Sequence, residues 1–167
     1  MSKRVMELTP LTAAPAADGS YVTQPRGSLF VSQRGAMRVI WYIALGGAVG
    51  SVTRYLVGVA VQSRSGLDFP VGTLLVNLSG CLLLGFVIHY SLATPAISPE
   101  VRALLTTGLC GGYTTFSTFS YETVTLIQDG DWRRAALYVG LSVLGSILGV
   151  MLGIAGASQV LSFRQAH

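Results

Sequence analysis

Residues 108–122, GLCGGYTTFSTFSYE, lie inside an apolar part of the chain but are poorly suited to a continuous helix. The glycines weaken a helical backbone, and the threonine and serine hydroxyls can bond to backbone groups instead. Phe116 and Phe119 are three residues apart and would lie on one face of a helix. In a bilayer, non-helical backbone is tolerated only where protein buries it or where it lines a cavity. The stretch therefore predicts a helix broken near residues 111–115, and a candidate ion site.

The composition is typical of a membrane protein. The chain has 167 residues, of which 51% are hydrophobic and 11% charged, whereas soluble domains carry about 25% charged residues. The net charge of +4 is modest and much of the basic excess precedes the first apolar run, so no nucleic-acid partner is expected. Cys81 and Cys110 lie in apolar segments, and we interpret them as small buried residues rather than a disulfide or a metal pair.

Four apolar runs are long enough to cross a bilayer, at about residues 39–61, 71–92, 101–128 and 135–161. They predict an all-α membrane protein with four transmembrane helices, in a channel domain of residues 37–163. Residues 1–36 contain three prolines and no sustained helical period, so we expect a disordered N-terminal tail. That tail lacks the apolar core that a signal peptide has after its first charges, so the first span is itself expected to insert as a transmembrane helix.

Two polar residues within the spans each admit a functional and a structural interpretation. Arg54 could attract anions at a pore mouth, or it could snorkel to the nearby interface. Asn77 shares a helix face with Thr73 and Gly80, and its amide must bond to a neighbouring helix or to a permeant species. Taken alone, the pattern favours the anion-attracting role for Arg54 and interhelical bonding for Asn77.

Small residues at four-residue intervals predict close helix packing. Gly46 and Gly50 have this spacing in the first span, and Gly145, Gly149 and Gly153 have it in the last. The last span carries a second stripe, which offers a ladder of hydroxyls: Tyr138, Ser142 and Ser146.

The polar chemistry of the spans favours ion conduction over catalysis. No nucleophile–base pair is visible, so we expect no enzyme. Amide and hydroxyl groups can donate to an anion, and phenylalanine ring edges carry partial positive charge. Backbone carbonyls freed at the break would instead suit a cation, and Na⁺ could be held on those of Gly111 and Thr114. The residues thus predict a neutral, anion-tolerant path beside a cation site.

The charges flanking the spans say little about orientation. The numbers of lysine and arginine residues near the membrane are almost equal on the two sides, so the positive-inside rule favours neither orientation clearly. A near tie suggests insertion in both orientations. Two antiparallel copies would supply the inverted symmetry that one copy lacks. In addition, four short helices leave little room for a polar pathway within a single chain. We therefore expect a dual-topology homodimer.

Three motifs resemble those of the CrcB/Fluc fluoride channel family. They are GGAVGSVTRY at residues 46–55, GTLLVN at residues 72–77 and GGYTTFSTF at residues 111–119. The third motif is highly specific, and the resemblance covers all four spans in order, about residues 38–162. It implies an antiparallel, dual-topology homodimer with two pores, which exports F⁻ passively across the cell inner membrane and so reduces cytoplasmic fluoride toxicity.

The resemblance also implies roles for individual residues. Phe116 and Phe119 would contact fluoride through their ring edges, Asn77 would line the pore, and Arg54 would lie at its vestibule. The other positions that match the fluoride pathway are Thr73, Glu122, Tyr138, Ser142 and Ser146.

A structural Na⁺ is implied at the dimer interface, held by the carbonyls of Gly111 and Thr114, and no organic cofactor is expected. Two other functions remain open. A proton-coupled exporter of small cations or drugs would need a carboxylate deep in a span, for which Glu122 is the candidate. A non-transporting membrane scaffold would use the glycine stripes for assembly alone.

Overall fold

A computed structural model describes residues 33–165, and the secondary structure of that part of the chain is entirely helical. Three long helices are continuous: α1 (Gln33–Ser65), α2 (Val71–Ala93) and α6 (Trp132–Gln165). Each contains a stretch long and apolar enough to cross a membrane. The expected disordered tail, residues 1–36, lies outside the described residues except for its last four, which belong to α1.

The third expected span, about residues 101–128, is a chain of short helical pieces, which we call the broken segment (residues 99–128). It consists of α3 (Pro99–Ala103), a π-helical stretch (Leu104–Cys110), α4 (Gly111–Tyr113) and α5 (Phe116–Gln128). At its start, the Ser98 hydroxyl accepts a hydrogen bond from the Val101 N–H at 3.3 Å, which caps α3. The expected four spans thus occur as three continuous helices and one broken segment.

The helix breaks at two threonines rather than at the glycines. Gly108, Gly111 and Gly112 all lie in helical turns, whereas Thr114 and Thr115 are extended, with ψ angles of 158° and 118°. The Thr115 side chain then accepts a hydrogen bond from the Thr118 N–H at 3.2 Å, so this residue caps α5. The interruption lies within the expected residues 111–115.

Glycines bring α6 against α2. A β-carbon on Gly153 would lie 2.7 Å from the Phe86 nitrogen, and one on Gly145 would meet the Leu78 side chain. In the other direction, a β-carbon on Gly85 would meet the backbone of Val150. The prediction that the glycine stripe of the last span serves close packing is confirmed.

Glycines also bring α1 against the broken segment. A β-carbon on Gly46 would lie 3.0 Å from the Gly108 α-carbon, and one on Gly50 would lie 2.8 Å from the Tyr113 nitrogen. The predicted close approach at this pair is likewise confirmed. Ser51 adds a hydrogen bond from its hydroxyl to the Gly112 carbonyl at 3.4 Å. The broken segment is therefore supported by α1 along its first half.

Candidate functional site

The two sides of the break are held by one side chain from α2. The Asn77 Oδ1 atom accepts a hydrogen bond from the Thr115 N–H at 2.8 Å, and the Asn77 Nδ2 atom donates to the Thr115 carbonyl at 3.0 Å. Both backbone groups of an extended, 7%-exposed residue are thus satisfied by one amide. The interhelical role that the sequence favoured for Asn77 is the one this geometry has.

We call the two hydrogen bonds between the Asn77 side chain and the Thr115 backbone the Asn77 clamp. The clamp affects the hydrogen bonding of the Gly111 carbonyl. In an unbroken helix that carbonyl would accept from the N–H four residues later, which belongs to Thr115. That N–H is committed to Asn77. The Gly111 carbonyl is therefore released from the helical ladder, and its residue is exposed. A free carbonyl oxygen is a suitable ligand for a cation such as Na⁺.

The carbonyl of Thr114 has a different environment. The Arg54 Nη1 atom lies 3.5 Å from it, a long distance for a hydrogen bond. Arg54 is half-buried, and its guanidinium group is directed at the break. A cation bound at Thr114 would therefore share this oxygen with a guanidinium group.

A cavity of about 330 Å³ opens on one side of the break, and we call it the Phe116 cavity. It brings together six predicted site residues: Asn77, Thr114, Phe116, Phe119, Ser142 and Ser146. Cys81, Thr115 and Val143 also line it. All of these side chains are uncharged: the lining offers amide, hydroxyl, thiol and aromatic groups, with aliphatic surface from Val143.

Ser142 is a buried residue of this cavity whose hydroxyl group lacks a hydrogen-bond partner in the described part of the chain. The side chain is 6% exposed, and within the described residues its Oγ atom has no hydrogen-bond partner. Leaving a buried donor unsatisfied costs about 1–3 kcal/mol. A cavity-lining hydroxyl in this condition is suited to donate to a guest that accepts a hydrogen bond.

Phe116 and Phe119, which line the cavity, continue into a row of three aromatic rings that ends at Tyr138. The ring centroids of Phe116 and Phe119 are 5.6 Å apart, and those of Phe119 and Tyr138 are 5.2 Å apart. Phe116 is 79% exposed, whereas Tyr138 is fully buried. The predicted pair of phenylalanines thus does share a face, and its first ring projects away from the rest of the chain.

Glu122 lies at the Tyr138 end of this aromatic row and is not a free carboxylate. The Thr73 hydroxyl donates to its Oε1 atom at 2.8 Å, and the Tyr138 hydroxyl donates to its Oε2 atom at 2.6 Å. Three predicted pathway residues from three elements are therefore in direct contact. Charge-assisted bonds of this length are stronger than neutral ones, so the two hydroxyls hold the carboxylate in place.

A second cavity of about 680 Å³ contains Arg54, Thr73 and Glu122, and we call it the Arg54 cavity. Thr115 lines both cavities. The clamped break is therefore where the two spaces adjoin. Gly111 lines neither of them.

Sequence reasoning did not select Thr115 or Cys81 as site residues. A signal for Thr115 was available, because a threonine directly before a helical run is a common N-cap. Cys81 lies four residues after Asn77, hence on the same face of α2. Its interpretation as a buried hydrophobic residue is wrong in part, because the side chain is partly exposed and lines the Phe116 cavity. Cys110 is buried as expected, at 1% exposed.

Comparison with known proteins places this architecture in a family. The family model described as CrcB-like protein, Camphor Resistance (CrcB), matches residues 41–154. This range contains α2, the broken segment and most of α1 and α6.

Several curated relatives are similar to the chain over nearly their whole length. A protein of Aquifex aeolicus named fluoride-specific ion channel FluC is 47% identical over 121 residues, which is 70% of this chain and 98% of the relative. A protein of the same name from Chlorobaculum tepidum is 50% identical, covering 66% of this chain and 87% of the relative. Another from Geobacter sulfurreducens is 46% identical, covering 74% of this chain and 100% of the relative. The chain therefore belongs to the CrcB family.

Proposed function

We propose that this chain forms a fluoride-selective channel that exports F⁻ passively and so lowers its concentration in the cytoplasm. The observation that carries the proposal is the Phe116 cavity, an uncharged space in which the buried Ser142 hydroxyl has no partner among the described residues. Relatives at 42–50% identity are named for fluoride conduction. The chain is a multi-pass membrane protein and not an enzyme, and we assign it to the cell inner membrane.

The chemistry of the cavity suits a small, strongly hydrated anion. Fluoride entering it would exchange water for hydroxyl and amide donors, foremost the Ser142 hydroxyl. The ring edges of Phe116 and Phe119 carry partial positive charge and can approach the anion closely. Because no formal cation lines this cavity, the anion would be held weakly enough to leave. Arg54, in the adjoining cavity, would raise the local anion concentration.

An antiparallel homodimer would complete the site. Phe116, Ser117 and Thr118 are exposed just after the break, and Gly111 is exposed just before it. In a bilayer, irregular backbone has to be covered by protein or by a wet cavity. A second copy in the opposite orientation would cover this region, and two polar cavities would then lie between the copies.

A structural Na⁺ would fit at the same contact. Carbonyl oxygens are the ligands available there, and the carbonyl of Gly111 is released from the helix by the Asn77 clamp. Gly111 and Thr114 of two antiparallel copies would together present four carbonyl oxygens. When bound, the cation would neutralise these dipoles and hold the two breaks together.

Fluoride efflux from proteoliposomes tests the proposal against its two alternatives. A channel releases fluoride when a voltage is imposed, and a proton gradient alone does not drive it. A proton-coupled exporter would instead move organic cations in response to a pH gradient, with no voltage-driven fluoride flux. A scaffold would release nothing beyond empty liposomes. Either of the last two results would reject the channel.

A further inference from the structure

We infer that Cys81 is a modification site for thiol-binding soft metal ions such as Hg²⁺, and that a metal bound there closes the Phe116 cavity. The closure rests on the proposed function, because it concerns fluoride flux through that cavity. The binding itself does not depend on fluoride. Cys81 is distinct from the residues that the family resemblance implies.

The position of Cys81 makes its thiol reachable. It lies on α2 one helical turn after Asn77, it is partly exposed, and it lines the cavity together with Phe116 and Phe119. Its β-carbon faces α6, because a β-carbon on Gly149 would lie 3.6 Å from it. The side chain is therefore fixed at its base by helix packing while its sulfur borders open space.

A second observation indicates that the same cavity can bind a ligand. The Ser142 hydroxyl, on the facing helix α6, is nine-tenths buried and has no partner within the described residues. When HgCl2 is the source, the mercury carried on Cys81 retains one chloride ligand, and that chloride can accept a hydrogen bond from the hydroxyl. The unpaired donor and the thiol thus border one space of about 330 Å³.

The reaction is a ligand exchange without a change of oxidation state. The thiol S–H bond and one mercury–chloride bond of HgCl2 break, a sulfur–mercury bond forms, and one proton and one chloride ion pass to the buffer, which gives a Cys81–S–Hg–Cl group. Soft ions prefer thiolate to the amide and hydroxyl oxygens that make up the rest of the lining. Mercury then occupies the cavity and narrows the space beside Phe116 and Phe119.

Cys110 provides an internal control. It is 1% exposed and lies in the π-helical stretch at the closest packing of the broken segment. A reagent that enters through the cavity reaches Cys81 first. Reaction at Cys110 would instead require local opening of the segment.

The experiment uses the full chain in proteoliposomes, with HgCl2 as the probe, and compares the native protein with Cys81→Ser and Cys110→Ser. Intact mass reports how many mercury atoms are bound, and a fluoride electrode reports efflux. We expect one mercury on the native protein and on Cys110→Ser, with efflux reduced at least about ten-fold by obstruction of the path. Excess 2-mercaptoethanol should restore the flux. Cys81→Ser should bind no mercury, and HgCl2 should not change the efflux of this variant from its own rate before treatment.

Two results would overturn the inference: absence of mercury from Cys81, or full efflux with Cys81 labelled. Equal inhibition of Cys81→Ser would do the same. Failure of the proposed function gives a different pattern, because fluoride efflux would then be absent before any mercury is added. In that case the mass measurement still decides whether Cys81 binds the metal.

Discussion

The α2–α6 pair and the broken segment both pack through glycines, but their backbone N–H and C=O groups have different hydrogen-bond partners. Along α2 and α6 the helices stay continuous, so beyond the first turn the backbone N–H groups are paired within their own helix. In the broken segment the backbone leaves the helix at Thr114 and Thr115. There the Asn77 side chain replaces the helical partners of Thr115. Close packing alone therefore does not make the site.

The difference teaches what one polar side chain can do inside a membrane protein. By binding both backbone groups of Thr115, Asn77 removes the free-energy cost of burying them unpaired, so a non-helical turn is stable in an apolar setting. The turn releases the Gly111 carbonyl on one side and directs the exposed Phe116 ring outward on the other. In the proposed channel, this single exchange of hydrogen-bond partners would provide both the carbonyl ligands of Na⁺ and the ring contacts of fluoride.

Removing the clamp should have the largest effect. Asn77→Leu keeps a side chain of similar size but leaves the Thr115 N–H and C=O unsatisfied, at about 1–3 kcal/mol each. We expect fluoride efflux from proteoliposomes to fall at least about ten-fold, because a cost of this size repopulates other backbone arrangements. Leu75→Ala, at an exposed position of α2, should leave efflux unchanged. Normal efflux from Asn77→Leu would show that the break does not depend on the amide.

Adding one methyl group to the packed glycines should destabilise both regions. Gly50→Ala and Gly153→Ala each place a β-carbon within 2.8 Å of backbone nitrogen on the neighbouring segment. Overpacking of this kind costs about 1–3 kcal/mol, and it should lower the thermal unfolding temperature in detergent. Gly58→Ala and Gly140→Ala are matched controls on the same two helices, since a β-carbon at either meets nothing within 4 Å.

The controls should be neutral or slightly stabilising, because alanine favours a helix over glycine by about 1 kcal/mol. If all four variants behaved alike, the glycines would not be packing contacts. If Gly153→Ala alone lost stability, the contact of α1 with the broken segment would be looser than described here.

Ser142→Ala should separate function from stability. Removal of an unpaired buried hydroxyl takes away no hydrogen bond within the described chain, so the unfolding temperature should stay level or rise. Efflux should nevertheless fall by about three- to ten-fold, the equivalent of one modest hydrogen bond to the permeating ion. Ser162→Ala, at an exposed position near the end of α6, is the control for both readouts. A drop in stability with unchanged efflux would reassign Ser142 to packing.

Much of the α2–α6 pair could be predicted from the sequence. Helical geometry alone places Gly145, Gly149 and Gly153 on one face of the helix. In a continuous apolar helix the backbone N–H and C=O groups can pair only with each other. The face shared by Thr73 and Asn77 was predictable for the same reason. Local periodicity is sufficient wherever the helix is regular.

The broken segment was predicted in outline but not in detail. Glycine composition pointed to Gly111 and Gly112, yet these residues stay helical and the break falls on the following threonines. The reason is the position of Asn77, 38 residues earlier, which no local pattern connects with Thr115. The π-helical stretch and the bonds of Glu122 to Thr73 and Tyr138 depend on tertiary contacts in the same way.

The central claim is that fluoride passes the exposed ring of Phe116 in the cavity beside the break. Its most direct test is fluoride-electrode efflux from proteoliposomes containing Phe116→Ile, which keeps an apolar side chain but removes the aromatic ring edge. The account predicts that voltage-driven efflux is lost while the variant unfolds at the same temperature as the native protein. Native rates of efflux from a well-folded Phe116→Ile protein would contradict it.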